Sequence, residues 1–316
     1  MPSADDIGWF KQQFATQITA AVSGTPFDVD MITAIACQET GSIWSVLRKA
    51  NLSIDRIAAL CVGDTIDYKG PHKGRQAFPL NKADLLSKPR GGEMFTIARA
   101  ALEDMAAYVP GYEGAVAKAE KFCHGYGVFQ RDLQFFLEDP DYFLDKKYEL
   151  FSNTLDHCLK ELARGLKTIG LEARKSISDY EFACVAIAYN TGGFKASKGL
   201  KQGYFDGTKY YGEYIADYLA LSRSVESEPP AITPGPYVVI ARGGLKLRGG
   251  PGTEFQALQT LPANTTLQVV AIAGPDNNWA QVDLENDGLL DGYVFGAFIV
   301  PAASHPNSTE MVIEPG

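Results

Sequence analysis

Glu39 is the residue whose setting in the sequence most directly suggests chemistry. Met31, Ile32, Ile35 and Ala36 recur at steps of three and four on one helical face. Glu39 continues that face, three residues past Ala36, four past Ile35 and seven past Ile32. The spacing predicts a helix over 29–40 that stops at Gly41, a residue suited to a left-handed terminating position. A carboxyl at such a helix end, turned toward apolar surroundings, is partly desolvated. Desolvation raises its pKa and keeps it protonated near neutrality, as a general acid must be to protonate a glycosidic oxygen. A glutamate turned to water, or paired with a nearby lysine or arginine, would show the same pattern.

Two later segments bear on that choice. Gly125-Tyr-Gly-Val-Phe-Gln130 has two glycines that allow close backbone approach, then a glutamine able to bond sugar hydroxyl or amide groups. Ala188-Tyr-Asn-Thr-Gly-Gly193 puts a phenol and an amide at the end of a helix. Taken singly, each is also an ordinary tight turn or helix stop.

In this order the three segments resemble the lysozyme-like superfamily of soluble lytic transglycosylases and goose-type lysozymes. The resemblance rests on Gln38-Glu39-Thr40-Gly41, then Gly-x-Gly-apolar-apolar-Gln, then Ala-Tyr-Asn-small-Gly, three islands within residues 25–195. It implies a mainly α catalytic domain with Glu39 as acid/base. It also implies a substrate groove shaped by Tyr126, Gly127 and Gln130, with Tyr189 and Asn190 orienting the glutamate or the sugar. No cofactor or metal is expected. The chain departs from the family in three places. Gln130 lies 91 positions after Glu39, a wide gap that marks about 61–92 as an insertion. Thr40-Gly41 follows the glutamate where serine or glycine patterns are usual, and Phe129 stands where methionine is common.

Hydrolysis with inversion needs a second carboxylate to activate water, roughly 6.5–9.5 Å from the acid. Asp132, two residues beyond Gln130, is the candidate, because goose-type lysozymes are similar in carrying an aspartate there. Asp64 and Asp67 in the insertion are weaker candidates. A surface aspartate that caps the next segment would look the same as Asp132. Without a base, the 6-hydroxyl of the substrate attacks instead and leaves an anhydro sugar, the transglycosylase outcome.

These residues need a helical scaffold, and the sequence supplies one. Leu144, Tyr148, Phe151, Leu155, Leu159, Leu162, Leu166 and Ile169 predict a helix from Pro140 to about Ile169, with Asp139 as N-cap and Gly170 as stop. Ser178 and Glu181 form a capping box for a second helix bearing Phe182, Val185, Ala186 and Tyr189. Further helices are predicted over about 5–22, 93–108 and 209–222. Tyr204, Phe205, Tyr210, Tyr211, Tyr214 and Tyr218 read first as core packing, with sugar stacking as the alternative. The stretch 61–92 carries Lys69, Lys73, Arg75, Lys82, Lys88 and Arg90. It reads either as a solvated basic loop or as a flap that covers a groove and holds an anionic ligand.

The pattern changes at 226–236, where four prolines in eleven residues predict a stiff linker after a catalytic domain over 1–225. Beyond it, short alternating runs predict strands at 237–241, 245–248, 256–261, 266–272, 279–284 and 292–299. Leu245-Lys-Leu-Arg248-Gly-Gly-Pro-Gly-Thr253, Trp279 and Gly292-Tyr-Val294 resemble bacterial SH3-like domains. That resemblance implies a small all-β barrel over 237–303, followed by a flexible tail over 304–316. It also implies attachment to a wall peptide, which would raise the local concentration of glycan strands. A purely structural or protein-binding module has the same strands.

The 316-residue chain has a net charge of −9, which excludes broad attraction to nucleic acid. Ten acidic against three basic residues from Glu226 onward argue against anionic wall polymers as the target of that part. Five cysteines without CxxC spacing give no disulfide framework and no zinc motif. No apolar run has a membrane-spanning length. The acidic start at Met1 lacks the features of a signal peptide, so synthesis is expected in the cytoplasm. Action on the wall would then follow non-classical export, lysis, as for an endolysin, or injection, as for an effector; an effector would be paired with an immunity or inhibitor protein. Two other functions fit the same chain. A cysteine peptidase or amidase of wall peptides would need a thiol at a helix N-terminus near a histidine. A non-catalytic wall-binding protein would need no acid at all.

Overall fold

The computed structural model describes residues 1–225, 232–241, 244–274 and 278–302. The chain divides into two compact units, Met1–Lys11 with Ala21–Ser227, and Gln12–Ala20 with Glu228–Gly316. The first is mainly α and the second is built on an antiparallel sheet. Among the described residues no helix is long and apolar enough to cross a membrane.

The helical part begins with α1 (Ala4–Val22), α2 (Val29–Leu47) and α3 (Ile54–Ala59). Strands β1 (Val62–Gly63), β2 (Tyr68–Gly70) and β3 (Lys73–Gly74) follow, then α4 (Lys82–Leu86), α5 (Gly91–Ala106) and α6 (Glu113–Val116). Next come β4 (Gly125–Tyr126) and β5 (Arg131–Asp132), then α7 (Pro140–Leu144), α8 (Phe151–Thr168), α9 (Asp179–Thr191) and α10 (Tyr211–Ser224). Helix α2 packs on α10, and α9 packs on both α8 and α10. The helix that carries Glu39 therefore lies within the bundle.

Local chemistry explains several of these boundaries. Asp28 caps α2 by accepting the Met31 amide at 2.9 Å. The capping box of Ser178 and Glu181 opens α9, and Gly192 closes it in a left-handed conformation. The single helix expected over 140–169 is in fact α7 and α8, separated by a 3-10 turn at Lys147–Glu149. Lys146 is left-handed and Leu150 extended, and Tyr148 between them is buried, so tertiary packing overrides the helical spacing. Asp139 holds the N-cap position of α7 but makes no side-chain capping bond; its carboxylate faces Arg131 at 3.5 Å and His157 at 3.4 Å.

Gly41 also differs from expectation. It does not end α2 and has no positive φ; a Cβ there would lie 2.4 Å from Cγ of Pro2. The break comes one residue earlier, where Thr40 takes φ −134° and ψ 15° inside the merged helix.

Strands β1, β4 and β5 form a small antiparallel sheet with β4 in the middle. Its register sets Gly63 opposite Gly125 and Gly125 opposite Asp132. At the edges of the stretch 61–92, β1 belongs to this sheet and α5 begins at Gly91.

In the second unit β6 (Gly235–Val239), β7 (Leu245–Arg248), β8 (Ala257–Leu261), β9 (Thr266–Ala273), β10 (Trp279–Asp283), β11 (Gly292–Phe295) and β12 (Ile299–Pro301) pair antiparallel in the order β12-β6-β9-β10-β11-β7-β8. Val239, Leu247, Val269, Ala280, Val282 and Val294 form its centre. Along β7, Leu245 and Leu247 are buried while Lys246 is exposed, the alternation that one buried sheet face requires. Arg248 Nη1 donates to the carbonyls of Thr253 (3.0 Å) and Phe255 (2.7 Å), closing the Gly-Gly-Pro-Gly turn. The last residues of the expected linker, Gly235 and Pro236, already belong to β6; residues 226–231 and the expected tail at 304–316 lie outside the described residues.

Candidate active site

Thr40 determines how Glu39 is presented. Its Oγ1 donates to the Val128 carbonyl at 2.6 Å, tying α2 to the turn between β4 and β5. The Ala36 carbonyl accepts the Trp44 indole at 3.1 Å, and Thr40 between them departs from helical φ/ψ. Glu39 therefore ends a straight segment, half-buried, in the wall of a pocket of about 420 Å³. The same pocket is lined by Asp64, by Gln130, Arg131 and Asp132, by His157, Cys158 and Glu161 of α8, and by Tyr189 and Asn190 of α9.

Burial pushes the Glu39 carboxyl up to about 7, and a hydrogen bond from Tyr211 Oη to Oε1 (2.8 Å) opposes part of that rise. Protonated and ionised forms are then both accessible near neutrality, as acid/base work requires. Tyr211 is 3% exposed and opens α10. Sequence reasoning placed it in a packing cluster, and its spacing gave no sign of this contact.

Of the residues expected to serve the site, Glu39, Gln130, Asp132, Tyr189 and Asn190 line one pocket. Their engagements differ from expectation. Tyr189 Oη donates to the Phe129 carbonyl at 2.7 Å, so it braces the β4–β5 turn and makes no bond to Glu39. Gln130 adopts a left-handed φ of 51°, and its Nε2 donates to Gly127 (2.9 Å) and Cys61 (3.3 Å) carbonyls. Tyr126 and Gly127 do not line the pocket. The Tyr126 phenol is fully buried and donates to the Cys123 carbonyl at 2.8 Å. Gly127 has φ +79°, and a Cβ there would meet Thr154 at 2.2 Å. Both belong to the interior of the hairpin, because its turn folds back over α8.

Asp132 is bound more tightly than a free base would be. Arg75 grips it with both ends of its guanidinium fork, Nη2 to Oδ1 at 2.6 Å and Nη1 to Oδ2 at 2.9 Å. Oδ1 also accepts the Gln134 amide at 2.7 Å. Arg75 is itself buried and donates to the carbonyls of Pro79 (2.9 Å) and Phe78 (2.7 Å). Arg75 of the basic stretch thus serves as counter-ion to the protein's own carboxylates. Lys82 lies over Phe95, Lys88 over Phe78, and Arg90 pairs with Glu93.

Asp64 is less constrained. Its Oδ1 accepts the Ile66 amide at 3.0 Å, and Arg75 Nη1 lies 3.5 Å from Oδ2. Desolvation raises its pKa despite these contacts. Fully buried His124 has Nδ1 3.1 Å from the Asp64 carbonyl, and burial holds its pKa down at about 3. A carbonyl only accepts, so Nδ1 carries the proton. Asp67, the other weak candidate, pairs with Lys121 at 2.7 Å and does not line the pocket.

The described residues contain one group of carboxylates spaced as metal ligands, Asp283, Glu285 and Asp291, and it lies in the β unit. Asp283 accepts the amides of Asp287 and Gly288, and Asp291 accepts that of Leu284, so this loop is organised by its own main chain.

Residues 243–300 match the family model of the bacterial SH3 domain, in agreement with the observed strands and consistent with binding to cell wall. No curated protein and no solved structure matches the chain.

Proposed function

We propose that this chain cleaves the β-1,4 bond between N-acetylmuramic acid and N-acetylglucosamine in peptidoglycan, with Glu39 as general acid, while the SH3 domain holds it to the wall. The observation that carries this reading is Glu39 itself, a half-buried carboxyl whose pKa stands near 7 in a pocket lined by polar side chains. Glu39 gives its proton to the glycosidic oxygen as that bond to the anomeric carbon breaks. In hydrolysis, water adds to the anomeric carbon and its proton passes to a carboxylate. Asp64 suits that step better than Asp132, because both Asp132 oxygens are committed to Arg75.

The clamp on Asp132 also favours a second reading of the product chemistry. With no base engaged, the 6-hydroxyl of the muramic acid attacks its own anomeric carbon, and Glu39 first donates and then accepts the proton. That is lytic transglycosylation from the same site.

A thiol mechanism fits poorly. All five cysteines are free and buried, and burial pushes the thiols of Cys37, Cys61, Cys123 and Cys158 far up, away from the thiolate that a nucleophile needs. Cys158 lines the pocket, where desolvation first and then Glu39 and Glu161 disfavour its thiolate, and Cys123 and His124 are both sealed from solvent.

The decisive experiment digests purified peptidoglycan with wild type and Glu39→Gln and weighs the soluble products. Reducing muropeptides that vanish in the variant support hydrolysis. Anhydro products, lighter by one water (about 18 Da), support transglycosylation by the same carboxyl. Cleaved peptides on intact glycan, or no products from either protein, overturn the reading.

A further inference from the structure

The segment between α9 and α10 ends in a small hairpin that the proposed chemistry leaves unused. Phe205 and Tyr210 form an antiparallel bridge, and their rings lie 4.8 Å apart, tilted by 35°. Tyr204, just before the bridge, is 71% exposed, and Phe205 is 47% exposed. The sequence reading of this cluster as core holds for Tyr211 and Tyr218, which are buried, and not for this pair.

The pair is fixed rather than merely exposed. Asp206 Oδ1 accepts the amides of Thr208 (2.7 Å) and Lys209 (3.0 Å), and its Oδ2 accepts the Tyr214 phenol at 2.6 Å. The Tyr204 carbonyl accepts the Tyr211 amide at 2.9 Å. A braced turn reduces the backbone freedom that is lost when a flat ligand covers these rings.

Position ties the hairpin to the pocket. Tyr211, at its downstream end, is the residue bonded to Glu39. Gly203, at its upstream end, passes so close that a Cβ would lie 3.1 Å from Oδ1 of Asn190, a pocket-lining residue. The hairpin's ionised groups are already engaged internally, Asp206 as described and Lys209 with Asp217. What it offers a ligand is therefore aromatic surface with a phenol at its edge, suited to the apolar face and hydroxyl rim of a sugar ring.

We infer that Tyr204 and Phe205 form a stacking platform that extends the Glu39 pocket and binds a further sugar of a β-1,4-linked N-acetylhexosamine strand. The inference rests on the glycosidase reading and adds a binding position to it. The platform sets affinity for longer chains, while the proton transfer remains with Glu39.

Calorimetric titration of full-length Glu39→Gln with the β-1,4-linked pentamer of N-acetylglucosamine tests this. Adding Tyr204→Ala or Phe205→Ala weakens binding about tenfold. Tyr204→Trp, with a larger ring, binds at least as tightly as the parent, which a merely structural role would not produce. Tyr180→Ala, an exposed tyrosine on α9 outside the site, serves as control and leaves affinity unchanged. Equal affinity of the alanine variants and the parent overturns the platform. If wild type still releases glycan fragments in that case, the glycosidase reading survives alone. A parent that binds no pentamer, with a wild type that releases no fragments, sinks both.

Discussion

Tyr211 donates its phenolic proton to Glu39 at 2.8 Å, joining residues 172 positions apart. The bond stabilises the carboxylate, whereas burial destabilises it, and burial dominates. Glu39 therefore stays half-protonated near neutrality, and Tyr211 sets how far its pKa rises. Tyr211→Phe removes the opposing contribution, so the Glu39 pKa moves further up. Under the glycosidase reading, the alkaline limb of the pH profile for glycan release shifts to higher pH, and the maximal rate falls by roughly tenfold as the carboxyl loses its fixed orientation. Release of soluble muropeptide across pH 4–10 measures both effects; a limb that stays put would dissociate Tyr211 from the acid.

The same pKa makes a stability prediction. Glu39 moves from an ordinary 4.5 to about 7 on folding, so the folded chain binds a proton more tightly than the unfolded chain. That contribution is present below about 4.5 and is lost as pH rises through about 7. Two to three pKa units correspond to roughly 3 kcal/mol, and partial access to the pocket reduces this to about 2 kcal/mol. Glu39→Gln, which has no charge to bury, should match wild type near pH 4 and exceed it by about 2 kcal/mol at pH 9. Urea unfolding at both values checks the difference. A variant less stable than wild type at pH 9 would contradict a desolvated carboxyl.

Much of this arrangement is legible in the sequence because it is local. The face of α2, the capping box of α9 and the alternation of β7 follow from spacing alone. The change from helical to strand periodicity separates the two fold types. Contacts that cross the chain are not legible in the same way. Arg75 looked like one cation among several until the fold set Asp132 against it. Tyr211 looked like one aromatic of a cluster until α10 packed on α2. The break at Thr40 is of the same kind, since a threonine hydroxyl signals no kink until Val128 offers its carbonyl. Glu161 and His157 went unnoticed because the helical spacing of α8 marks its apolar face, not the side that borders the pocket.

The thiols provide a test against the peptidase alternative. Every cysteine is buried and uncrosslinked, and desolvation disfavours the thiolate at each. In the native state a disulfide reagent such as DTNB should titrate none of them within minutes, while all five react after unfolding in guanidinium. Wall-degrading activity should survive iodoacetamide treatment of the folded protein. Rapid loss of activity that tracks the modification of one thiol would restore a cysteine mechanism.

Arg75 allows the strongest mutational prediction, because it joins the loop after β3 to the strand that carries Asp132. Its side chain is 5% exposed, and it bonds two carbonyls of its own loop as well as both oxygens of Asp132. Arg75→Met removes the cation and leaves Asp64 and Asp132 as neighbouring, uncompensated carboxylates. The expected loss is about 2 kcal/mol, because Arg75 is buried while the two carboxylates it leaves behind keep partial access to water. Asp132→Asn keeps an acceptor for the fork and should cost less, about 1 kcal/mol. Each loss is read from the urea midpoint of the helical signal. Activity separates the two carboxylates. Under the hydrolase reading, Asp64→Asn abolishes reducing products, whereas Asp132→Asn retains a substantial fraction. If Asp132→Asn alone abolished reducing products at wild-type stability, Asp132 would be the base and Arg75 would have to release it when substrate binds.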